Sequence, residues 1–305
     1  MRYISMSRTE IGRLDWNRFV DNHSGGWWWH RSEWLDYSLM YQPGSSDLSF
    51  GLVDTTTGKV VGMCPAIENL GEVKMGDDPC AGLLSLDDPV IIDTLIDATA
   101  SRLTGLQCQW RWNRYPIYNR ELIESFNRTT GLSRSSWKTA VVSLGRVHRW
   151  NRLRKSYRSL IHQAQRDYVL VSGKSYWKDY EACHRSVATR PRPDATYRVQ
   201  EQWMNDGFGQ VYVAFSKESY LSTPKAVSLV IEYKNHAYYA SGASKKRNLQ
   251  HALQWMAMED FAKRGGETYE LGWINQHGED DSIGFFKKGF GGDLYLVDAI
   301  TGVLK

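Results

Sequence analysis

Six apolar residues, Trp150, Leu153, Tyr157, Ile161, Ala164 and Tyr168, recur at steps of three and four through the middle of the chain. That spacing is the period of an amphipathic helix, and a helix with one apolar face must bury it against another layer. Between them stand Arg154, Arg158, His162 and Arg166 at intervals of four, with Arg152 and Lys155 beside them. Such a ladder of cations is either a solvated face or a seat for phosphates, whose oxygens guanidinium groups bind in pairs.

On both sides of this helix the patterns alternate between helix and strand. "TEIGRLDWNRFVDNH" reads as a first helix and "SEWLDYSLMYQ" as a second, with Ser32 as its cap. "DLSFGLVD" and "KVVGMCPAIE" read as strands joined by the turn "TTTGK", "DDPVIIDTLIDATASRLTG" as a helix stopped at Gly105, and "LQCQWRWNR" and "WKTAVVSLG" as strands. After the basic helix and a helix carrying His184 and Arg185 come "GQVYVAFSKES", "PKAVSLVIEYKN" and "HAYYASGAS", again strands. A long helix, "NLQHALQWMAMEDFAKRGG", then precedes the strand "TYELGWIN", the acidic loop "HGEDD", and "SIGFFKKGFGG", which reads as strand leading into "LYLVDAIT". The order predicts an α+β chain of two domains, 1–147 and 148–305, with the basic helix opening the second.

The 305 residues suffice for two cores, and a net charge of +4 permits an anionic partner without demanding one. No apolar run of membrane-spanning length occurs, and the polar start "MRYISMSRTEIGRLDW" lacks a signal peptide's apolar segment, so a cytoplasmic protein is expected. Cys64, Cys80, Cys108 and Cys183 are scattered without paired spacing, which argues against zinc and against a disulfide framework; no metal and no cofactor are expected.

Several strings resemble the Fem family of non-ribosomal peptidyltransferases. "DWNRFVDNHSGGWWWHRSEWLDYS" looks like that family's opening, "LRKSYRSLIHQAQR" resembles its basic central helix, and "YYASGASKKRNLQHALQWMAMEDFAKRGGETYELGWIN" followed by "FFKKGFGG" is similar to its C-terminal core. The resemblance implies two tandem domains of the acyl-CoA N-acyltransferase (GNAT) fold, mixed sheets flanked by helices. No heptad segment for the coiled-coil arm of some members is found. It implies transfer of an amino acid from aminoacyl-tRNA, as co-substrate, to an amine-bearing acceptor: a peptidoglycan precursor, an amino sugar or a secondary metabolite. The alternative is an acyl-CoA-dependent N-acyltransferase. Coenzyme A enzymes cradle pyrophosphate on bare backbone at a helix N-terminus, and Gln250 stands where that cradle wants glycine.

Carried over residue by residue, the resemblance places Phe286 and Lys287 at the catalytic centre, with Lys288 as the alternative register. A lysine held against aromatic rings stabilises a developing oxyanion well, because its charge is weakly screened there. Asp281, beside Asp280, is the candidate proton acceptor, or else part of an exposed acidic loop. His184 falls in a stretch resembling one near the family's acceptor pocket, Arg247 opens the cradle turn, and Arg31 is the nearest match to a diphosphate-binding residue. Trp27, Trp28 and Trp29 cannot all share one face of a helix or strand, so one of them, with Trp28 as candidate, is expected to line a groove for a sugar or base. Arg154, Lys155, Arg158 and Arg166 are the expected tRNA phosphate contacts.

Overall fold

The computed structural model describes residues 2–75, 80–113, 119–145, 149–187, 192–219, 223–246, 248–274 and 282–305. Its contacts form two compact units, Met1–Trp137 with Leu296–Lys305, and Lys138–Tyr295. The sequence reading divided the chain at 147/148 and left its end in the second domain. The difference comes from strand pairing: the C-terminal strand lies antiparallel to Gln107–Asn113, Val297 opposite Asn113 and Val303 opposite Gln107. Pairing across so long a sequence separation leaves no local signal.

In chain order the first unit holds β1 (Tyr3–Ser7), α1 (Arg8–Ile11), α2 (Arg13–Asn22), a 3₁₀ turn (Trp28–His30), α3 (Ser32–Tyr41), β2 (Ser46–Asp47), β3 (Phe50–Asp54), β4 (Val60–Cys64), β5 (Ile67–Asn69), β6 (Glu72–Val73), β7 (Cys80–Ala81), β8 (Leu84–Ser85), α4 (Pro89–Arg102), β9 (Gln107–Asn113) and α5 (Arg120–Thr130). The strand β10 (Ser133–Ser143) leads into the second unit, which holds α6 (Arg149–Arg152), α7 (Lys155–Asp167), β11 (Tyr168–Ser172), α8 (Trp177–Val187), α9 (Asp194–Asn205), β12 (Gly209–Ser216), β13 (Ala226–Tyr233), β14 (His236–Ser244), α10 (Leu249–Lys263), β15 (Thr268–Ile274) and α11 (Ser282–Lys288). The last strand is β16 (Asp293–Val303).

The first unit carries an antiparallel sheet in the order β1-β3-β4-β8 and a mixed one in the order β16-β9-β6-β5-β2, with β7 also on β9. Local chemistry sets its helix ends. Asp88 accepts from the amide of Val90 at 2.9 Å and Pro89 opens α4, while Gly131 closes α5 in the left-handed conformation with φ 63°. The expected first helix is two, because Gly12 at φ 80° breaks it and Ser7 caps the short α1 through a reciprocal pairing with Glu10. Ser32 does not cap α3; it is the first helical residue, and its amide is bound by the side chain of Asn17 at 2.9 Å.

The second unit carries one sheet in the order β11-β12-β13-β14-β15-β10, antiparallel except for β14 and β15. Alternate residues face opposite sides of each strand. Tyr212 and Ala214 pack with Ala237, Leu271 and Val142 against Tyr157 and Ile161 of α7 and Leu253, Ala257 and Phe261 of α10. Val211, Val213 and Phe215 pack with Val227 and Leu229 against Trp177, Tyr180 and Cys183 of α8. The apolar stripe read from sequence is therefore the buried face of α7, interrupted at Leu153 and Arg154, where α6 ends and α7 begins. The longest helix among the described residues is α10, with 15 residues.

Candidate active site

β14 and β15 pair only over His236–Tyr238 against Thr268–Glu270. Beyond Tyr238 and Glu270 the two strands part, and each carries an extra residue at that point. Against β13, Leu229 pairs with Ser241 but Val230 pairs with Tyr239, leaving Ala240 over. Against β10, Ala140 pairs with Gly272 but Val141 pairs with Glu270, leaving Leu271 over. An extra residue bends and twists its strand and re-aims the side chains beside it. Two of them, one on each strand, open the sheet at this place.

Gly272 stands in the opening at φ 82°, a conformation that side chains rarely adopt. A Cβ on it would come 3.2 Å from Tyr238 Oη and 3.3 Å from Lys287 Nζ, so both polar groups lie over the same bare backbone. The Lys287 ammonium donates to the carbonyl of Trp273 at 2.7 Å, which fixes it at the end of a half-buried side chain.

The segment carrying Lys287 was read as strand, and it is the helix α11. Lys287 and Lys288 are therefore about 100° apart around a helix instead of on opposite faces of a strand. Lys287 is half-buried over Gly272, whereas Lys288 is exposed. The glycines that follow serve close packing. A Cβ on Gly289 would lie 2.3 Å from the Tyr157 ring, and one on Gly291, already at φ 71°, would lie 2.4 Å from the Arg152 carbonyl oxygen.

Aromatic rings hold the helix down. Phe286 lies with its centroid 5.0 Å from that of His251 and 5.2 Å from that of Phe290, both edge-on. The Tyr157 hydroxyl donates to the carbonyl of Phe286 at 3.1 Å. Its pKa is pushed up by burial, so it remains a donor at neutral pH. His251 donates from Nδ1 to the Asn248 carbonyl at 2.9 Å, and burial lowers its pKa. Phe286 thus sits in a packed cluster that orients Lys287.

The remaining expected residues are dispersed. Asp281 and Arg247 lie outside the described residues, as does Asp280. Arg154 is committed to α11: its guanidinium lies 3.5 Å from the Phe285 ring centroid and donates to the Phe285 carbonyl at 3.4 Å. Lys155 is exposed, Arg158 half-buried, and Arg166 exposed and paired with Asp167 at 3.1 Å. His184 is buried under α9, with Nδ1 2.8 Å from the Tyr197 hydroxyl, and burial with the nearby Arg192 and Arg185 brings its pKa down to about 4. Gln250 is turned into the sheet. It accepts from Ser228 Oγ at 2.6 Å and donates to the carbonyls of Val227 at 2.8 Å and Ala243 at 3.1 Å, tying the first turn of α10 to β13 and β14.

The first unit holds a separate cavity of about 570 Å³ lined by Trp27, Trp29, His30, Arg111, Trp112 and Asn113, among others. All three consecutive tryptophans are buried, because the 3₁₀ turn sends them in different directions. Trp28 packs in the core at 0 % exposure, and Trp27 and Trp29 are the ones that reach the cavity wall. Arg31 is held in ion pairs with Glu33 at 3.0 Å and with Asp21, which raise its pKa against the effect of its burial. The amide of Trp27 donates to His30 Nδ1 at 3.1 Å, so the proton of the neutral ring sits on Nε2, which donates to the Gly82 carbonyl at 3.0 Å. Burial drives the His30 pKa down to about 3. Asn113 Oδ1, buried at the cavity wall, has no hydrogen-bond partner among the described residues.

Sequence reasoning missed Tyr238 and Gly272. The glycine inside the strand "TYELGWIN" was the available signal, since glycine there commonly marks an irregularity or a close approach. Among the described residues, no helix is long and apolar enough to cross a membrane, and no group of three or more His, Cys, Asp or Glu side chains could hold a metal ion.

No family model matches the sequence, and no curated protein matches it. Solved structures do share the fold. FemX superposes with a TM-score of 0.68 at 12 % identity, over 98 % of this chain and 97 % of its own. The C-terminal domain assigned to a lysylphosphatidylglycerol synthetase of Agrobacterium fabrum superposes with a TM-score of 0.62 at 14 % identity, over 97 % of this chain and 92 % of its own. A tandem GNAT protein from the clavulanic acid biosynthesis pathway superposes with a TM-score of 0.54 at 11 % identity, over 98 % of both chains. The chain therefore has the FemX-like, tandem-GNAT fold.

Proposed function

We propose that the protein is an acyltransferase that moves an aminoacyl group from aminoacyl-tRNA to the amine of a small or precursor acceptor. The observation that carries this reading is the placement of the Lys287 ammonium, beside the Tyr238 hydroxyl and over a glycine, where two parallel strands part. An ester carbonyl entering the opening meets a fixed cation over a bare glycine. Lys287 then stabilises the oxygen as it gains charge, and little reorganisation is needed because the Trp273 carbonyl already holds the ammonium in place. Lys155 and Arg158 on α7 supply cations for a polyanionic donor, and Arg154 braces the helix that carries the lysine. FemX shares the fold, and the Fem resemblance of the sequence favours the same donor.

Acyl-CoA is the second reading for the donor, favoured by α10, whose N-terminus follows β14 as in a phosphate-binding turn. Gln250 fills the space between that turn and the strands, and its hydrogen bonds to β13 and β14 resist displacement. The deciding experiment titrates the protein with bulk aminoacyl-tRNA and with acetyl-CoA at low and moderate salt. Saturable binding that depends on the aminoacyl group and weakens steeply with salt supports the tRNA reading. Tight binding of acetyl-CoA alone overturns it.

A further inference from the structure

A half-buried aromatic ring keeps part of its surface in water, and a row of such rings beside fixed cations suits a single nucleic-acid strand, which stacks its bases on the rings and rests its phosphates on the charges. Such a row runs along the seam between α7 and α10. At its start the Tyr157 ring lies with its centroid 4.2 Å from that of His251, which also meets Phe286 of α11. Further along, Trp150 of α6 touches both helices, its centroid 4.9 Å from that of His162 on α7 and 5.1 Å from that of Trp255 on α10. The seam then widens into a groove of about 520 Å³, lined by Tyr168 and Leu170 of β11 and by Trp255, Met256 and Lys263 of α10, among others. The two aromatic and two aliphatic residues of that set are all half-buried. Trp255 is four residues on from His251, about 6 Å along the same face of α10, so the row leads away from the end of the unit that carries α11.

Charge along the row is cationic. Arg158, His162 and Arg166 follow at intervals of four, one stripe of α7, and the contact of His162 with Trp150 places that stripe beside the rings. Arg158, half-buried, and Lys263, exposed on the α10 wall, make no ion pair among the described residues. The carboxylates that line the groove are already matched: Glu259 accepts from Arg149 at 2.7 Å, and Asp260 accepts from Tyr212 Oη at 2.9 Å and pairs with Arg264 at 3.4 Å. The groove therefore offers ring surface under a cationic rim, and its acids are neutralised. A duplex hides the faces of its bases inside its own stack, so the occupant this surface fits is an unpaired strand. Resting on the aminoacyl-tRNA reading above, we propose that the unpaired 3′ end of the donor stacks its bases in this groove. Trp255 and Tyr168 take the base rings, and Arg158 and Lys263 take the flanking phosphates. The groove holds the strand and leaves the chemistry to Lys287, so its loss appears in donor binding and KM and not in kcat.

The test measures, by fluorescence anisotropy with the whole chain, binding of two labelled RNAs: a short single strand ending in CCA and a blunt-ended duplex. Trp255→Leu is expected to weaken single-strand binding by about 5- to 100-fold with the salt slope unchanged, and duplex binding by less than about threefold. Trp255→Phe keeps a ring and should stay within about threefold of wild type on both RNAs. Arg158→Ala should lower the salt slope by about one on both, which loss of a stacking residue does not do. Tyr168→Leu carries the comparison if Trp255→Leu fails to fold by circular dichroism. Equal losses on both RNAs, or no loss on the single strand, overturn the groove. Wild-type binding of bulk aminoacyl-tRNA scores the donor reading separately. If the wild type binds aminoacyl-tRNA but not the single strand, the groove alone has failed; if it binds neither, the donor reading has failed and the groove falls with it.

Discussion

The first unit's cavity and the second unit's strand opening treat charge in opposite ways. At the cavity wall His30 is uncharged between two backbone partners, and in the adjoining chain Arg31 is clamped by Glu33 and Asp21. In the opening, the Lys287 ammonium donates to the Trp273 carbonyl and lies over Gly272 beside the Tyr238 hydroxyl. Tryptophans form part of the cavity wall, whereas the opening holds an ammonium over a glycine. A wall of tryptophans supplies area with little electrostatic cost, whereas a fixed ammonium over bare backbone supplies field with little area.

Substitutions can break this contrast, and the largest effect is expected in the first unit's core. Trp28→Ala removes a fully buried ring and should cost about 3–5 kcal/mol of stability by chemical denaturation, with its activity loss tracing to unfolding. A Trp28→Ala protein that folds normally but fails to bind acceptor would instead make Trp28 a ligand-contacting residue.

Lys287→Ala should leave folding intact and lower turnover by about 100- to 1000-fold, the usual size for losing one oxyanion donor, while Lys288→Ala stays within about threefold. Comparable small losses from both would remove Lys287 from its proposed role. The pair also sharpens the contrast, since neither change should disturb the melting of the first unit.

The pH dependence of stability tests the neutral histidines. His30 and His184 have folded pKa values of about 3 and about 4, below the ordinary 6.5 that the unfolded chain regains. Protons then bind the unfolded state preferentially, so the stabilisation is complete above pH 6.5 and is lost as pH falls below it. Each residue contributes a slope of up to about 1.4 kcal/mol per pH unit. Imidazole NMR signals of both rings should show no protonation down to pH 5, and a titration near 6.5 would contradict their burial.

The smallest expected effect is on the surface of α7. Lys155→Ala and Arg158→Ala should each weaken aminoacyl-tRNA binding modestly and reduce the slope of log affinity against log salt by about one. Arg154→Ala should also lower turnover through α11, because its guanidinium braces Phe285. An unchanged salt slope for all three would move the donor's binding surface away from α7.

Much of the fold was legible because it is written in local periods. The apolar stripe of α7, the alternation in β12 and the Asp88–Pro89 start of α4 each depend on neighbours within a few residues. The site was legible only in part. The lysine was found through the resemblance of "FFKKGFGG", yet its segment was taken for a strand because its aromatic and glycine residues look like strand and turn. The structure makes it a helix, held by Tyr157, His251 and Phe290 from elements remote in sequence.

The sequence by itself determined the alternation of helices and strands, the basic helix and the lysine-bearing end, because side-chain period and residue type are local properties. Tertiary structure alone decided that the last strand returns to the first unit, that Trp27 and Trp29 rather than Trp28 meet the cavity, and that Tyr238 and Lys287 meet over Gly272. The first and last of these outcomes follow from strand pairing and from an extra residue in each of two neighbouring strands. Both are relations between distant segments, and no stretch of either strand read alone contains them.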